Sequence, residues 1–539
     1  MSEKTNMDRR SFLKGAALVG GTAAIMGVAG CQSAPSEASD AIEWDEEYDV
    51  VVLGSGTAIM AALTAARNEA KVLVVEKGSA IGGTSILAGA FWLPCNPLEK
   101  EKGIEDKRED AVAYAKACAD AWGGKYDDAV IESYFDNGLA MYDMLSNEFG
   151  YTFTLDLYAK PDYFNIDGQL GEGRSVGFSQ DGKHIKHAVV WPMLQQKCEE
   201  LGVEFRTGAP ATELVTDGSG AVVGVKIESK SSIKAIKANK GVVVGTGGFD
   251  FSEDMKSAFL PAPFSYSMAV QTNTGDGQRM GASIGASLAN MGSIWGCPST
   301  LLDEASESYE VDWGSYRGKP GTIVVNRYGE RFGNESSAYP IFNRSFEVWD
   351  TGRNDYRNIP AFFICDSSYA QRYPFPGSNY EVGKIPEGAL VADTVEDLCD
   401  QAGIDRVGFA ATLSAFNSNA VEGVDPTWCR GTSVYDLSAV SGDMKRDDIV
   451  NSCLAPISEP PFYAMRLMPG SIGTNGGLEI DGNGQVLDQG GSPISGLYAV
   501  GNASGSVFGG AYPGAGATIG SGFIMGFAAA NHMTQSGVE

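Results

Sequence analysis

The stretch from Glu47 to Gly78, EYDVVVLGSGTAIMAALTAARNEAKVLVVEKG, predicts a strand, a glycine turn, a helix and a second strand. Residues Asp49 to Leu53 form a continuous apolar, β-branched run, which is typical of a parallel strand buried on both faces. The second strand is expected from Lys71 to Val75. This alternation of strand and helix predicts an α/β fold with a parallel sheet.

The glycine turn and an acidic residue together predict a dinucleotide site. Glu76 ends the second strand, twenty-two residues beyond Gly54. This spacing suits a carboxylate that binds ribose hydroxyls while a pyrophosphate rests on the helix N-terminus. Ile59 stands where the fingerprint has its third glycine, which serves helix–strand packing. The replacement weakens the match but leaves the phosphate turn in place.

Three further glycine motifs are dispersed along the chain. They are IGGTS (Ile81–Ser85), GVVVGTGGFD (Gly241–Asp250) and SGLYAVGNASG (Ser495–Gly505). A nicotinamide enzyme needs only the first fingerprint, so the dispersed set predicts an FAD site assembled from both ends of the chain. The residues expected to bind FAD are Gly54, Ser55, Gly56, Thr57, Ala58, Glu76, Lys77, Gly82, Gly83, Thr84, Ser85, Gly89, Gly247, Gly248, Gly501, Asn502, Ala517, Thr518 and Ile519.

The composition and residue spacing disfavour several other classes of protein. The formal net charge of −28 disfavours nucleic acid as a partner. The cysteines form no CxxC pair, which disfavours zinc, iron–sulfur and haem sites. His184 and His187 have HxxH spacing but no nearby carboxylate, so we expect surface residues rather than metal ligands. No metal is expected.

The N-terminus resembles an export signal. DRRSFLK (Asp8–Lys14) resembles a twin-arginine motif, and the small and apolar run from Gly15 to Gly30 is shorter than the roughly 20 residues of a membrane span. VAGC, ending at Cys31, resembles a lipoprotein cleavage site. We therefore expect a signal peptide over 1–30 and a flexible tether over 31–45. An uncleaved anchor helix is the alternative.

In their order, these motifs resemble the flavoprotein superfamily of fumarate reductase and succinate dehydrogenase subunits, and most closely its FAD-dependent 3-ketosteroid Δ1-dehydrogenase branch. The resemblance covers about residues 46–535. It implies a Rossmann-like FAD-binding domain over 46–299 and 461–539, interrupted by an α+β catalytic domain over 300–460. With no histidine between Lys77 and Asn96, we expect FAD to be bound non-covalently.

The substrate motifs favour a neutral ketone. Where fumarate reductases carry a histidine pair, PGSIGTNGG (Pro469–Gly477) has Ile472 and Gly473. A dicarboxylate would lack a cation there, and burying an unpaired carboxylate is costly. GTNGG and AYPGAGATIG instead resemble the ketosteroid branch. By this resemblance, the hydroxyl of Tyr512 and the backbone N–H of Gly516 hold the substrate carbonyl and stabilise an enolate.

Two more tyrosines are implied by the same resemblance. RFGNESSAYP (Arg331–Pro340) points to Tyr339 as the base that removes the C2 proton, and KPDYF (Lys160–Phe164) points to Tyr163 as its assistant. The hydride from C1 then passes to flavin N5. Because a free phenol has a pKa of about 10, such a base needs a local field or a hydroxyl neighbour that favours phenolate.

Three functions remain open from the sequence. The first is 3-ketosteroid Δ1-dehydrogenation or the reverse enone reduction, the second an exported ene-reductase of another unsaturated metabolite, and the third a non-enzymatic ligand-binding lipoprotein. The N-terminal signal implies a protein tethered by lipid alone at the outer face of the cytoplasmic membrane. Its electron partner would be a membrane quinone or a periplasmic cytochrome.

Overall fold

The computed structural model describes residues 42–155, 161–185, 187–229, 232–438 and 440–535. The expected signal peptide over 1–30 and most of the expected tether over 31–45 lie outside these residues. Within the described ranges, we find no helix that is both long and apolar enough to cross a membrane.

The largest sheet joins strands from both ends of the chain. Glu46–Leu53 lies at its centre, paired in parallel with Val72–Val75 on one side and with Ser232–Val244 on the other. Pro493–Ala499 adds to Ser232–Val244, again in parallel. This arrangement confirms the predicted α/β, Rossmann-like domain built from both ends. Its remaining strands are Glu204–Arg206, Ala211–Thr216, Val222–Ser229 and Gln485–Leu487.

Two buried helices pack closely beneath this sheet. Ile59–Arg67 follows the glycine turn, and Ala517–Gln535 is the last described helix. A Cβ added at Gly522 would lie 2.0 Å from Oγ1 of Thr57, and one at Gly526 would lie 3.1 Å from the backbone nitrogen of Ala61. The close approach therefore depends on glycines of the C-terminal helix.

A second sheet is antiparallel and belongs mostly to the middle of the chain. Phe462–Met468 pairs with Ala361–Asp366, Ser299–Asp303 and Leu390–Ala392. The outer strands are Ser308–Val311 and Thr322–Asn326. Phe462–Met468 lies just outside the expected 300–460 segment, and Ser299–Asp303 begins one residue before it. The domain limits drawn from the sequence stay a prediction, since the structure from Trp44 onward forms a single unit.

The other elements complete the layers around the two sheets. The remaining strands are Ala90–Trp92, Thr152–Thr154, Ser175–Gln180, Lys183–His184, Tyr266–Ser267, Leu288–Ala289, Ile294–Gly296, Trp349–Asp350, Asp355–Tyr356, Gly470–Thr474 and Gly477–Leu478. The remaining α-helices are Pro97–Lys102, Arg108–Trp122, Asp128–Asp143, His187–Glu200, Glu253–Phe259, Asp276–Ser283, Tyr339–Arg344, Ser367–Ala370, Val395–Ala402 and Arg406–Val421. Short 3₁₀ helices span Gly83–Leu87, Ser345–Glu347 and Gly501–Ala503, and a short π-helix spans Met144–Glu148.

A buried carboxylate organises the segment that leads to Tyr339. Glu335 is fully buried and accepts hydrogen bonds from Arg331 at 2.7 and 2.5 Å. Arg430, also fully buried, lies 3.4 Å from the same carboxylate. Burial raises the pKa of Glu335, but the two guanidinium groups outweigh it and hold the pKa below its usual range.

Replacing this carboxylate should destabilise the protein strongly. We expect Glu335→Gln to leave Arg331 and Arg430 short of a buried counter-charge and to lower the free energy of unfolding by about 3–5 kcal/mol. Thermal unfolding followed by circular dichroism measures the effect. Glu304→Gln removes a partner of Arg466 in an exposed pair and should leave the unfolding temperature almost unchanged. Equal effects of the two substitutions would contradict the role of Glu335.

Candidate active site

One long cavity runs along the carboxyl ends of the parallel strands. Most residues expected to bind FAD line it: Gly54, Ser55, Gly56, Thr57, Glu76, Lys77, Gly83, Thr84, Ser85, Gly247, Asn502, Thr518 and Ile519. This edge of an α/β sheet is where dinucleotides usually bind. We call it the flavin cavity.

The other expected FAD residues lie behind its wall. Gly82 donates its N–H to Oγ of Ser55 at 2.9 Å. Ala58 and Ala517 adjoin the starts of the two buried helices. The rest are Gly89, Gly248 and Gly501, where an added Cβ would meet His187, Thr474 and Thr57 respectively.

The glycine turn has no room for a side chain. Gly54 has φ +95°, and a Cβ there would lie 2.3 Å from the carbonyl oxygen of Gly245. Glu76 holds the turn by accepting hydrogen bonds from the backbone N–H and hydroxyl of Ser55, at 3.1 and 2.6 Å. Bare backbone next to a helix N-terminus is the donor set that a pyrophosphate requires. These residues therefore fit FAD.

Sequence reasoning missed part of the cavity wall. The missed lining residues are Leu53, Val75, Leu87, Ala88, Ala211, Gly245, Thr246, Met268, Val270, Thr272, Asn273, Asp276, Trp295, Trp313 and Ile472. Gly245 and Thr246 lie in a motif that the sequence analysis quoted, so that signal was available. Trp295 and Trp313 carry no local signal, because tertiary contacts alone bring them to the cavity.

The three predicted catalytic tyrosines meet at one point. The hydroxyls of Tyr163 and Tyr339 are hydrogen-bonded at 3.1 Å. The ring of Tyr512 lies 5.1 Å from that of Tyr163 and 5.7 Å from that of Tyr339, both edge-on. All three side chains are buried. Residues far apart in the chain thus form one cluster, which we call the tyrosine cluster.

The tyrosine cluster borders the flavin cavity through two tryptophans. The ring of Trp295 lies 4.8 Å from that of Tyr512, and the ring of Trp313 lies 5.0 Å from that of Tyr339. A fourth tyrosine, Tyr435, packs edge-on against Tyr163 at 5.5 Å. No sequence signal distinguished Tyr435 from the other tyrosines of the chain.

Burial makes two members of the cluster, Tyr339 and Tyr512, weaker acids than a free phenol. It raises the pKa of Tyr339 well above its usual value, and the neighbouring Tyr163 and Tyr512 add to the rise. Burial also raises the pKa of Tyr512, but hydrogen bonds with Tyr339, Thr518 and the Gly516 backbone oppose the rise. The Tyr512 hydroxyl and the Gly516 backbone are therefore neighbours in the structure.

Comparisons with known proteins agree with this geometry. The sequence pattern of the FAD binding domain family matches residues 49–519. The chain belongs to this family. It is therefore a flavoprotein, an FAD-dependent oxidoreductase.

The flavoprotein is similar to named dehydrogenases over most of its length. It is 33% identical to 4-oxocyclohexanecarboxylate 2-dehydrogenase of Sinomonas cyclohexanicum, over 89% of this chain and 92% of the relative. It is 30% identical to 3-oxosteroid 1-dehydrogenase of Mycobacterium tuberculosis, over 90% of this chain and 98% of the relative. The structure of 3-ketosteroid Δ1-dehydrogenase from Sterolibacterium denitrificans, in complex with 1,4-androstadiene-3,17-dione, superimposes with a TM-score of 0.81 at 29% identity. That match covers 91% of this chain and 100% of the other.

A buried ion network holds Tyr163 in the flavoprotein. Asp162 accepts hydrogen bonds from Arg174 at 2.6 Å and from Nε1 of Trp92 at 2.9 Å. Arg174 also binds Asp106 through two nitrogens, at 2.9 and 2.7 Å. The backbone N–H of Tyr163 donates to the carbonyl of Pro513, next to Tyr512. The network therefore fixes two of the clustered tyrosines relative to each other.

His184 and His187 differ from expectation. Both side chains are half-buried rather than on the surface, and their rings lie 5.6 Å apart. Burial lowers the pKa of both imidazoles. Among the described residues, no three His, Cys, Asp or Glu side chains are grouped as metal ligands would be.

The glycine turn yields a prediction for cofactor binding. Gly54→Ala should abolish FAD retention, because the new Cβ would overlap the carbonyl of Gly245 and close the turn. Absorbance of oxidised flavin in the purified protein measures this. Gly103→Ala is the matched control, since Gly103 also has positive φ (+75°) but nothing within 4 Å of its added Cβ. A yellow Gly54→Ala protein would contradict the assignment of the turn.

Proposed function

We propose that this flavoprotein exchanges a hydride and a proton with the CH–CH bond next to the carbonyl of a neutral ring ketone, 3-ketosteroids being the leading class. The observation that carries the proposal is the tyrosine cluster: Tyr512, Tyr339 and Tyr163 meet beside the flavin cavity. A relative named 3-oxosteroid 1-dehydrogenase and the structure of a 3-ketosteroid Δ1-dehydrogenase with a bound steroid support it. The relative named 4-oxocyclohexanecarboxylate 2-dehydrogenase supports the ring-ketone chemistry, although its named substrate carries a carboxylate.

Each group of the cluster has a distinct proposed role. The hydroxyl of Tyr512 and the N–H of Gly516 donate hydrogen bonds to the substrate carbonyl and stabilise the enolate. Tyr339 removes the proton on the adjacent carbon, and Tyr163 donates a hydrogen bond to its oxygen. When bound, FAD supplies the hydride acceptor. The surrounding aromatic side chains exclude water from the reacting carbon.

The charge of the flavin cavity favours a neutral substrate. Among its described lining residues Lys77 is the one cation, and it is paired with Asp276 at 2.8 Å and bound to Thr274. A substrate carboxylate would find no free cation among these residues. The ring of a neutral ketone instead matches the apolar side chains of Met268, Trp295, Trp313 and Ile472.

The cellular setting is proposed from the N-terminal motifs. The twin-arginine-like DRRSFLK and the VAGC sequence support export and lipidation of Cys31, with attachment to the membrane through lipid only. We propose a membrane quinone or a periplasmic cytochrome as electron partner. Reduction of an enone by the same residues is the second candidate function, favoured by this location outside the cell's pyridine nucleotide pool.

Anaerobic flavin spectroscopy tests the proposed reaction. We expect 4-androstene-3,17-dione to bleach the oxidised flavin, and 1,4-androstadiene-3,17-dione to reoxidise the dithionite-reduced flavin. Tyr512→Phe should retain FAD but lose about 10²–10³-fold in the rate, because one donor to the enolate is gone. Tyr126→Phe, which removes a peripheral hydroxyl bonded to Asp120, should behave as the wild type.

The outcome separates the candidate functions. Reoxidation without bleaching assigns the protein as an enone reductase. Bleaching by 4-oxocyclohexanecarboxylate but by neither steroid would overturn the neutral-ketone assignment. A flavin that responds to none of these probes would leave another unsaturated metabolite as the substrate.

The role of Tyr339 predicts a characteristic pH dependence. Dehydrogenation needs Tyr339 as phenolate, and since its pKa lies above the usual value of about 10, the phenolate fraction rises about tenfold per pH unit between about pH 7 and 9. Stopped-flow flavin reduction should follow this slope without a plateau. Enone reduction needs the protonated phenol and should be flat over the same range. Tyr339→Phe should lose the slope, and a wild-type plateau below pH 8 would contradict the assignment.

A further inference from the structure

A buried carboxylate stands behind one wall of the flavin cavity. Asp250 ends the GVVVGTGGFD motif, three residues after Gly247, which lines the cavity. Its side chain is 1% exposed, so water hardly solvates it. The sequence predicted FAD binding through the glycines of this motif and assigned nothing to Asp250. The carboxylate therefore needs an explanation of its own.

Three groups donate hydrogen bonds to Asp250. Oδ1 accepts from the hydroxyls of Ser267 and Ser471, at 2.8 and 3.1 Å, and Oδ2 accepts from the backbone N–H of Thr474 at 3.0 Å. The two strands that contain Ser267 and Ser471 pair in parallel. One carboxylate thus joins both strands to the glycine turn that precedes it.

The hydroxyl geometry indicates that Asp250 is ionised. The oxygen of Ser267 already accepts the backbone N–H of Ala269, and the oxygen of Ser471 accepts that of Gly473. The hydroxyl protons therefore point at Asp250, and the third partner is a backbone N–H, which cannot accept a proton. Burial raises the pKa of Asp250, but these hydrogen bonds oppose the rise. A protonated Asp250 would find no acceptor for its proton, so the site holds a carboxylate.

No basic side chain in the described part of the chain forms an ion pair with this carboxylate. Lys256, six residues further on, is paired with an exposed glutamate at 2.7 Å. Arg279 donates to the carbonyl of Thr274 and to the hydroxyl of Ser252. Asp250 therefore keeps a full negative charge that dipoles alone stabilise.

This charge lies at the end of the cavity where the proposed hydride exchange takes place. The two serines that bind Asp250 are followed directly by Met268 and Ile472, which line the flavin cavity. A Cβ added at Gly473 would lie 3.4 Å from Cδ1 of Trp295, whose ring contacts the tyrosine cluster. Because the redox-active ring of FAD must meet the substrate at that cluster, this wall borders the reacting ring.

We propose that Asp250 sets the reduction potential of bound FAD: its fixed negative charge behind the wall of Met268 and Ile472 lowers that potential. The reduced flavin ring is an anion at neutral pH, so a nearby negative charge disfavours it. The proposal rests on the proposed function only for the position of the ring. A lower potential makes reduced flavin a stronger hydride donor, which favours enone reduction over dehydrogenation.

Equilibration of the substrate-free holoenzyme with a reference dye measures this potential. Asp250→Asn has nearly the same shape and removes the charge, and its amide can face the two serines, whose hydroxyls can rotate to accept. We expect the equilibrium constant for flavin reduction to rise at least tenfold, an upward shift of about 30 mV for a two-electron couple. Absorbance of flavin and dye during anaerobic reduction reports both partners.

Asp366→Asn is the matched control. Asp366 is also fully buried, and its carboxylate accepts hydrogen bonds from the backbone N–H groups of Ser368, Tyr369, Ser458 and Glu459. These four donors lie outside the lining of the flavin cavity. The control should lower the unfolding temperature as Asp250→Asn does, because both variants lose a buried, hydrogen-bonded charge. Its flavin should keep the wild-type potential.

A second variant serves if Asp250→Asn does not retain FAD. Ser267→Ala/Ser471→Ala keeps the carboxylate but leaves it a single donor. A fully buried carboxylate with so little stabilisation takes up a proton at neutral pH, so the potential should again rise. Here the shape of Asp250 is unchanged, and only its charge is lost.

The outcomes separate this proposal from the function beneath it. A potential that is unchanged or lowered in the Asp250 and serine variants, or raised equally by Asp366→Asn, would overturn the proposal. Loss of FAD from both the Asp250 and the serine variants would assign Asp250 a structural role and overturn it as well. The measurement needs no substrate. A raised potential in a protein that reacts with none of the ketones would therefore overturn the proposed function and leave the role of Asp250 standing.

Discussion

Contact between the two buried helices positions the loop of Tyr512 and Gly516 against the glycine turn. Gly522 lies so close to Thr57 that any side chain at Gly522 would overlap it. The helix that contains Gly522 begins at Ala517, directly after the loop of Tyr512 and Gly516. Because this contact fixes that loop against the glycine turn, it also sets the position of the proposed substrate-binding donors relative to the backbone that fits FAD.

The tyrosine cluster then depends on charges that do not touch the substrate. Asp162 and Arg174 are both buried, and each has several hydrogen-bond partners, so the pair specifies one position for Tyr163. An unmatched charge there would be costly, which is why the network is closed on both sides. Nearby Glu99 is buried without a hydrogen-bond partner for its carboxylate oxygens, and burial raises its pKa to about 8. At pH 7 Glu99 is therefore mostly protonated and adds no further negative charge to the network.

The sequence was sufficient to predict those parts of the site that depend on local backbone structure. The glycine turn at Gly54, the acidic end of the second strand at Glu76 and the both-ends assembly follow from spacing and periodicity, and the structure confirms that fold. The roles of Tyr163, Tyr339 and Tyr512 came from resemblance, and their meeting in space agrees with those roles without testing them. Trp295, Trp313 and Tyr435 were beyond prediction, because long-range packing alone selects them from many similar aromatic residues. The half-buried histidines were missed for the same reason: their burial comes from packing against Gly89, which spacing does not reveal.

A layer of tyrosines solves a problem that charged residues would create. Hydride transfer requires a dry, closed contact between substrate and FAD, whereas proton transfer requires a connection to water. Tyrosine hydroxyls can exchange protons while their rings pack as apolar walls, so the tyrosine cluster combines proton transfer with an apolar surface beside the flavin cavity. A lysine or glutamate in that layer would carry its charge into the apolar side and need a buried counter-ion. A cluster of neutral side chains therefore matches the neutral ring ketone that we propose as substrate.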